Sequence, residues 1–154
     1  MKNKKKVPEI SIIIPCYNLE SIVKTTVKNI LKNLEKFSDS FEILIVNDGS
    51  TDNTLEVIQD IKNNHECIHV ITYSQNKGKG YAVKTGILQS IGSSIVFIDG
   101  DLDITSDAIQ NYIEELNNFD LVIGSKSLQN SEIEIRQSRK ILSDIFSSIV
   151  KFLT

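Results

Sequence analysis

Phe41-Glu42-Ile43-Leu44-Ile45-Val46-Asn47-Asp48-Gly49-Ser50-Thr51-Asp52-Asn53-Thr54 (residues 41–54) decides the fold. Its opening run, Phe41–Val46, is rich in Ile and Val, as in a strand buried on both faces. A polar turn follows, and then Leu55, Ile58 and Ile61 recur at helical spacing. The same succession appears elsewhere along the chain. Apolar runs at Glu9–Ile14, Cys67–Thr72, Ser94–Ile98 and Asp120–Ile123 also read as strands. Between them lie helical stripes: Leu19, Ile22, Val23, Val27, Ile30, Leu31 and Leu34; Ala82, Val83, Gly86 and Ile87; and Ala108, Ile109, Tyr112, Ile113 and Leu116. Regular alternation of strand and helix predicts an α/β fold, a mostly parallel sheet with helices on both faces.

The 154 residues, 40% of them apolar, suffice for one core and not for two ordinary domains. A net charge of −3 lacks the basic field of a nucleic-acid binder, so no nucleic-acid partner is expected. The run Lys2, Lys4, Lys5 and Lys6 reads as a basic tail over residues 1–8. Cys16 and Cys67 form no CxxC pair, which argues against a zinc site or disulfide scaffold. The charged start and the absence of a long apolar stretch point to the cytoplasm, with contact to a membrane surface from that side.

In parallel α/β sheets, ligands bind beyond the carboxyl ends of the strands. The loops to inspect are therefore Pro15–Glu20, Asn47–Asn53, Ser74–Gly80 and Asp99–Thr105. In the last, Asp99, Asp101 and Asp103 alternate, and three carboxylates so close repel one another unless a cation lies between them. Mg²⁺ or Mn²⁺ bound by one or two carboxylates, diphosphate oxygens and water is the natural answer; a solvated acidic turn is the competing reading. Asp48 stands at a strand end, where a carboxylate can accept from a base or ribose hydroxyl, and Gly49 lets the backbone turn beneath it. Asp52 or Ser50 is expected to cap the next helix. Asn76-Lys77-Gly78-Lys79-Gly80 is neither a P-loop nor a dinucleotide fingerprint, but its amides and Lys79 can face an anion at a helix N-terminus.

Ile14-Pro15-Cys16-Tyr17-Asn18-Leu19-Glu20, Val46–Asp52, Asn76–Gly80 and Phe97–Leu102, in that order and spacing, resemble the family 2 glycosyltransferases of GT-A fold. The likeness extends over roughly Ile10–Lys126. Ile123-Gly124-Ser125-Lys126 and Arg139-Lys140-Ile141-Leu142-Ser143 look like the pattern of the polyprenyl- and dolichyl-phosphate sugar synthases, the mannosyltransferases above all. The resemblance implies that Pro15, Tyr17, Asn18 and Asp48 line the base and ribose pocket. By the same resemblance, Asp99 and Asp101 serve the donor diphosphate and its metal, and Lys126, Arg139 and Ser143 hold the acceptor lipid phosphate. Asp103 stands where that subfamily usually has glutamine, and Lys126 where it usually has arginine.

The implied reaction is inverting transfer of a hexose, mannose before glucose, from GDP-mannose or UDP-glucose to polyprenyl or dolichyl phosphate. Asp101, Lys126 and Arg139 are the candidate catalytic residues. Transfer to a glycan or protein, or a non-catalytic nucleotide-sugar-binding module, are the alternatives. Residues 9–130 are expected to form the catalytic domain and residues 131–154 a linker and amphipathic helix. In that helix Ile141, Leu142, Ile145, Phe146, Ile149, Val150 and Leu153 share one face; packing on the sheet or on a partner accounts for such a face, and the resemblance implies a membrane interface instead. Family members usually continue beyond such a helix, so the chain is expected to be a shortened form.

Overall fold

The computed structural model describes residues 7–36, 38–101, 108–116 and 118–123. The elements follow in the order β1 (Ile10–Cys16), α1 (Val23–Leu34), β2 (Phe41–Asp48), α2 (Thr54–Asn63), β3 (Ile68–Tyr73), α3 (Lys79–Gln89), β4 (Ser94–Phe97) and α4 (Ala108–Glu115). The described strands form one parallel sheet of order β3-β2-β1-β4. The chain winds outward from β1 to β3 and then crosses back to β4. The order therefore reverses between β1 and β4, the place where an open α/β sheet leaves a crevice at its carboxyl edge.

The period of the strands separates two faces. Ile10, Ile12, Ile14 and Cys16 of β1, with Ile43 and Ile45 of β2, enter a core shared with Val23, Val27, Ile30, Leu31 and Leu34 of α1 and Ile58 and Ile61 of α2. Ile109 of α4 joins the same core, and Ile113 packs against it. Ile13 and Val46 point the other way and meet Ala82 of α3. Gly86 permits that approach, because a Cβ there would collide with the Ile13 side chain. Helices thus cover both faces, as the sequence predicts.

At the amino edge of the sheet a buried carboxylate ties strands to a loop. Glu42, 4% exposed, accepts from Ser11 Oγ at 2.5 Å and from the Ile91 amide at 2.8 Å. Ser11 Oγ in turn accepts from the Gly92 amide at 2.9 Å. The turn leading into β4 is thereby fixed from below.

Four of the expected strands form, within two residues of the expected bounds. The fifth does not: Asp120–Ile123 lies in no strand. Leu121 and Ile123 are 73% and 75% exposed, and an apolar run becomes a strand only where its amides find a ladder. By contacts the chain divides into two units, Met1–Asp120 and Leu121–Thr154. Of the second, only residues 121–123 are described. Asp103, Lys126, Arg139, Ser143, the basic tail before Val7 and the amphipathic segment from Arg139 onward lie outside the described residues. Among the described helices none is long and apolar enough to cross a membrane.

Candidate active site

Two loops at the carboxyl edge are stitched side by side. The Asn18, Leu19 and Glu20 amides donate to Ser50 Oγ (3.0 Å), Thr54 Oγ1 (2.7 Å) and Asp52 Oδ2 (3.2 Å). In return the Thr51 amide donates to Asn18 Oδ1 (2.8 Å) and the Asn53 amide to Glu20 Oε2 (2.9 Å). Asn18 takes φ 52°, a left-handed conformation that asparagine tolerates better than most residues. The N-cap of α2 is Asn53, with no side-chain cap bond, and neither Asp52 nor Ser50 takes that place; Asp52, one residue earlier, accepts from the Thr54 amide at 3.0 Å and from Thr54 Oγ1 at 2.5 Å. Burial would raise its carboxyl pKa, but these bonds and the one from Glu20 outweigh it and lower it.

Asn47 and Asp48 have structural partners that the sequence does not reveal. Asn47, 2% exposed, donates to Thr72 Oγ1 at 3.1 Å and accepts from the Ser50 amide at 3.3 Å. Asp48, 3% exposed, accepts from the Lys77 amide at 2.8 Å and the Gly78 amide at 2.9 Å, one on each carboxylate oxygen. Gly49, at φ 65°, lets the loop lie directly on the β2 end; a Cβ there would stand 2.5 Å from the Asn76 amide nitrogen. Beside this latch, the Lys77 ammonium lies 4.5 Å from the Tyr81 ring centroid and 5.5 Å from that of Tyr73. The Tyr73 hydroxyl is buried beside Asp48, and burial first, then its interaction with the Asp48 carboxylate, raises its pKa.

The acidic turn is held from the opposite side. Thr26 of α1, fully buried, donates from Oγ1 to the Gly100 carbonyl at 2.9 Å. A Cβ on Gly100 would approach Leu19 Cδ1 to 2.6 Å. The side chains of Thr26 and Leu19 therefore both meet the residue between Asp99 and Asp101.

These anchored loops border a cavity of about 280 Å³ at the reversal of strand order, lined among others by Pro15, Tyr17, Asp48, Lys79, Asp99 and Asp101. That volume lies near the lower end for ligand cavities, room for a portion of a nucleotide sugar. The expected residues Pro15, Tyr17, Asp48, Lys79, Asp99 and Asp101 are thus brought together. Asn18 is not among the lining residues; its side chain faces Thr51 instead. Lys79 Nζ lies 2.5 Å from Asp99 Oδ1. The described residues contain no set of three metal-ligating side chains, Asp103 being outside them. Asp99 and Asp101 are both carboxylates lining the cavity, the donor type that a hard divalent ion takes.

Several contributors escaped sequence reasoning. Asn76, Leu19 and Ala82 line the cavity, and Thr26 supports it. For Thr26 a signal existed, since it is a hydroxyl beside Val23, Val27 and Ile30 on a helix face otherwise apolar. Asn76 stands in the 76–80 motif and Leu19 in the 14–20 motif, but the motifs assign neither side chain a role in the site.

A family model described as Glycosyl transferase family 2 matches residues 11–152. The chain belongs to that family. It is 30% identical over 148 aligned positions to a dolichyl-phosphate beta-glucosyltransferase of Saccharomyces cerevisiae, covering 84% of this chain and 44% of that protein. It is 37% identical over 111 positions to a poly-beta-1,6-N-acetyl-D-glucosamine synthase of Staphylococcus epidermidis, covering 72% of this chain and 26% of that one. The mannosyltransferase PcManGT of Pyrobaculum calidifontis, solved with GDP-Man and Mn²⁺, shares the fold at a TM-score of 0.62 and 23% identity, over 73% of this chain and 33% of that one. The family 2 chain thus has the GT-A architecture. It spans less than half the length of these relatives.

Proposed function

We propose that the chain carries the donor-binding site of an inverting hexosyltransferase that uses a nucleoside-diphosphate sugar and a polyprenyl or dolichyl phosphate acceptor. One observation carries this reading: Lys79, Asp99 and Asp101 line one cavity with Pro15, Tyr17 and Asp48 at the reversal of strand order. A basic side chain and an acidic pair at one site suit a diphosphate together with a divalent cation, whereas either charge alone would suit only one of them.

In this reading Pro15, Tyr17 and Asp48 face the nucleoside, and Asn18 acts through the loop it holds. Mg²⁺ or Mn²⁺, held by Asp99, Asp101 and Asp103, supplies charge neutralisation at the diphosphate when bound. Lys126, Arg139 and Ser143 hold the acceptor phosphate. A phosphate monoester has a second pKa of about 6, so at neutral pH it is a nucleophile that needs no general base. Its oxygen forms the bond to the anomeric carbon as the bond to the donor β-phosphate breaks. The electron pair leaves with the nucleoside diphosphate, towards the Lys79 ammonium. Attack opposite the leaving group inverts the anomeric centre. Residues 9–130 would form the catalytic domain, and 131–154 would bring it to the cytoplasmic face of a membrane.

The likeness to the yeast dolichyl-phosphate beta-glucosyltransferase supports the lipid phosphate acceptor, and supports glucose as a candidate hexose beside the mannose expected from the sequence. The likeness to the N-acetylglucosamine polymer synthase favours a second reading, a glycan acceptor, with Asp101 or Asp103 serving as base for a sugar hydroxyl. A non-catalytic nucleotide-sugar-binding module is the remaining alternative.

Calorimetry with UDP-glucose and GDP-mannose, with and without Mn²⁺, tests donor binding; absence of metal-dependent binding of either sinks both enzyme readings. Labelled donor incubated with polyprenyl phosphate then tests the acceptor, and label appearing only on sugar hydroxyls removes the leading reading. Lys126→Ala and Arg139→Ala are expected to weaken use of the lipid phosphate and leave donor affinity unchanged.

A further inference from the structure

We propose that Lys79 is a built-in counter-ion, holding Asp99 against divalent metal until a donor diphosphate draws its ammonium away, so that nucleotide and metal bind as a coupled pair. The inference rests on the donor reading above.

Lys79 Nζ is in contact with Asp99 Oδ1 at 2.5 Å, and both residues line the same cavity. A divalent ion directed to that oxygen must displace the ammonium or sit against it, and like charges at such range repel. The contact arises from two ends fixed independently. Lys79 opens α3 directly after the two amides that Asp48 holds, so its backbone cannot drift. Asp99 precedes Gly100, whose carbonyl Thr26 holds.

The same pair is nevertheless easy to open. The Lys79 side chain is 57% exposed and that of Asp99 29%, so water screens the attraction and the ammonium moves without leaving solvent. A diphosphate offers more negative charge than one carboxylate, and at the first residue of α3 the helix dipole also favours the anion. Moving Lys79 onto the diphosphate frees Asp99 Oδ1 in the same step. By linkage, the nucleotide must then raise metal affinity by the factor by which metal raises nucleotide affinity. Loss of the ammonium should therefore tighten metal binding in the absence of nucleotide and reduce the coupling.

The test is Mn²⁺ affinity of the full chain, read from the electron paramagnetic resonance signal of free Mn²⁺, with no nucleotide and with saturating UDP or GDP. Without nucleotide, Lys79→Ala and Lys79→Gln are expected to bind Mn²⁺ about tenfold more tightly than wild type, and Lys79→Arg to match wild type. With nucleotide the difference should shrink to about twofold. Equal nucleotide-free affinities for wild type and Lys79→Ala overturn the counter-ion role, as does no measurable nucleotide-free binding by either. If nucleotide still raises Mn²⁺ affinity in those cases, the donor reading survives. If nucleotide leaves wild-type Mn²⁺ affinity unchanged, both fall together.

Discussion

Asp48 at the end of β2 holds the Gly78 amide at 2.9 Å across a sequence separation of 30 residues, and with it the entry to α3. Its other carboxylate oxygen takes the Lys77 amide. An acidic side chain that reads as a ligand contact is thus also the latch of the neighbouring loop. The cavity depends on that latch because Lys79 follows immediately.

Replacing Asp48 by alanine leaves two loop amides without their acceptor. A stability loss of about 2–3 kcal/mol is expected in urea unfolding. Asp48→Asn keeps one acceptor oxygen and turns an amide N–H towards the other donor, so its loss should fall between zero and the alanine value. Donor affinity measured by calorimetry should drop in both. An alanine variant as stable as wild type would show that the latch contributes nothing.

Thr26→Val removes the hydroxyl that binds the Gly100 carbonyl and retains its shape. A loss of about 1–2 kcal/mol is expected, because a buried carbonyl loses its donor. The sharper outcome is weaker Mn²⁺-dependent nucleotide binding with the fold intact by circular dichroism, since Gly100 separates Asp99 from Asp101.

Glu42→Ala should destabilise by about 2–3 kcal/mol in chemical unfolding, as Ile91 and Ser11 lose their acceptor. Glu42→Gln, which still offers a carbonyl oxygen, should lose less. His69→Ala is expected to change stability by under about 0.5 kcal/mol, because His69 is 49% exposed and stands 3.7 Å from Glu42. An equal loss from the histidine variant would make the ion pair, not the hydrogen bonds, the main support.

Burial pushes the Cys16 thiol up to about 12, while Cys67 is raised less decisively at its half-buried site. In the native protein at pH 8.5, iodoacetamide followed by mass spectrometry should find Cys67 modified well before Cys16. The unfolded thiol ionises near 9.0 and the folded one near 12, so the Cys16 contribution is whole below the first value. It is lost as pH rises towards the second, by up to about 1.4 kcal/mol per pH unit across that window. Alkaline unfolding of Cys16→Ala should lack this component.

The fold was largely legible because its signals are local. Ile43, Leu44, Ile45 and Val46 announce a buried strand by composition, and Val23, Val27, Ile30 and Leu34 announce a helix by spacing. The loops beyond the strands were legible for the same reason. Asp120–Ile123 shows the limit, since a strand also requires a partner edge, which no local pattern supplies. The site was legible in its residues and less so in their roles. Pro15, Tyr17, Asp48, Lys79, Asp99 and Asp101 do meet in one cavity, whereas Asn18 turns to Thr51.

By itself, then, the sequence determined the alternation of strand and helix, the family and the loops that bear the chemistry, because residue type and period act over a few positions. Only the tertiary structure decided that Asp48 latches the 76–78 loop, that Thr26 grips Gly100 and that Lys79 reaches Asp99. Each of these bonds joins segments 20 to 74 residues apart in the chain. Such contacts are set by strand order and helix packing, which bring distant donors and acceptors within reach of one another.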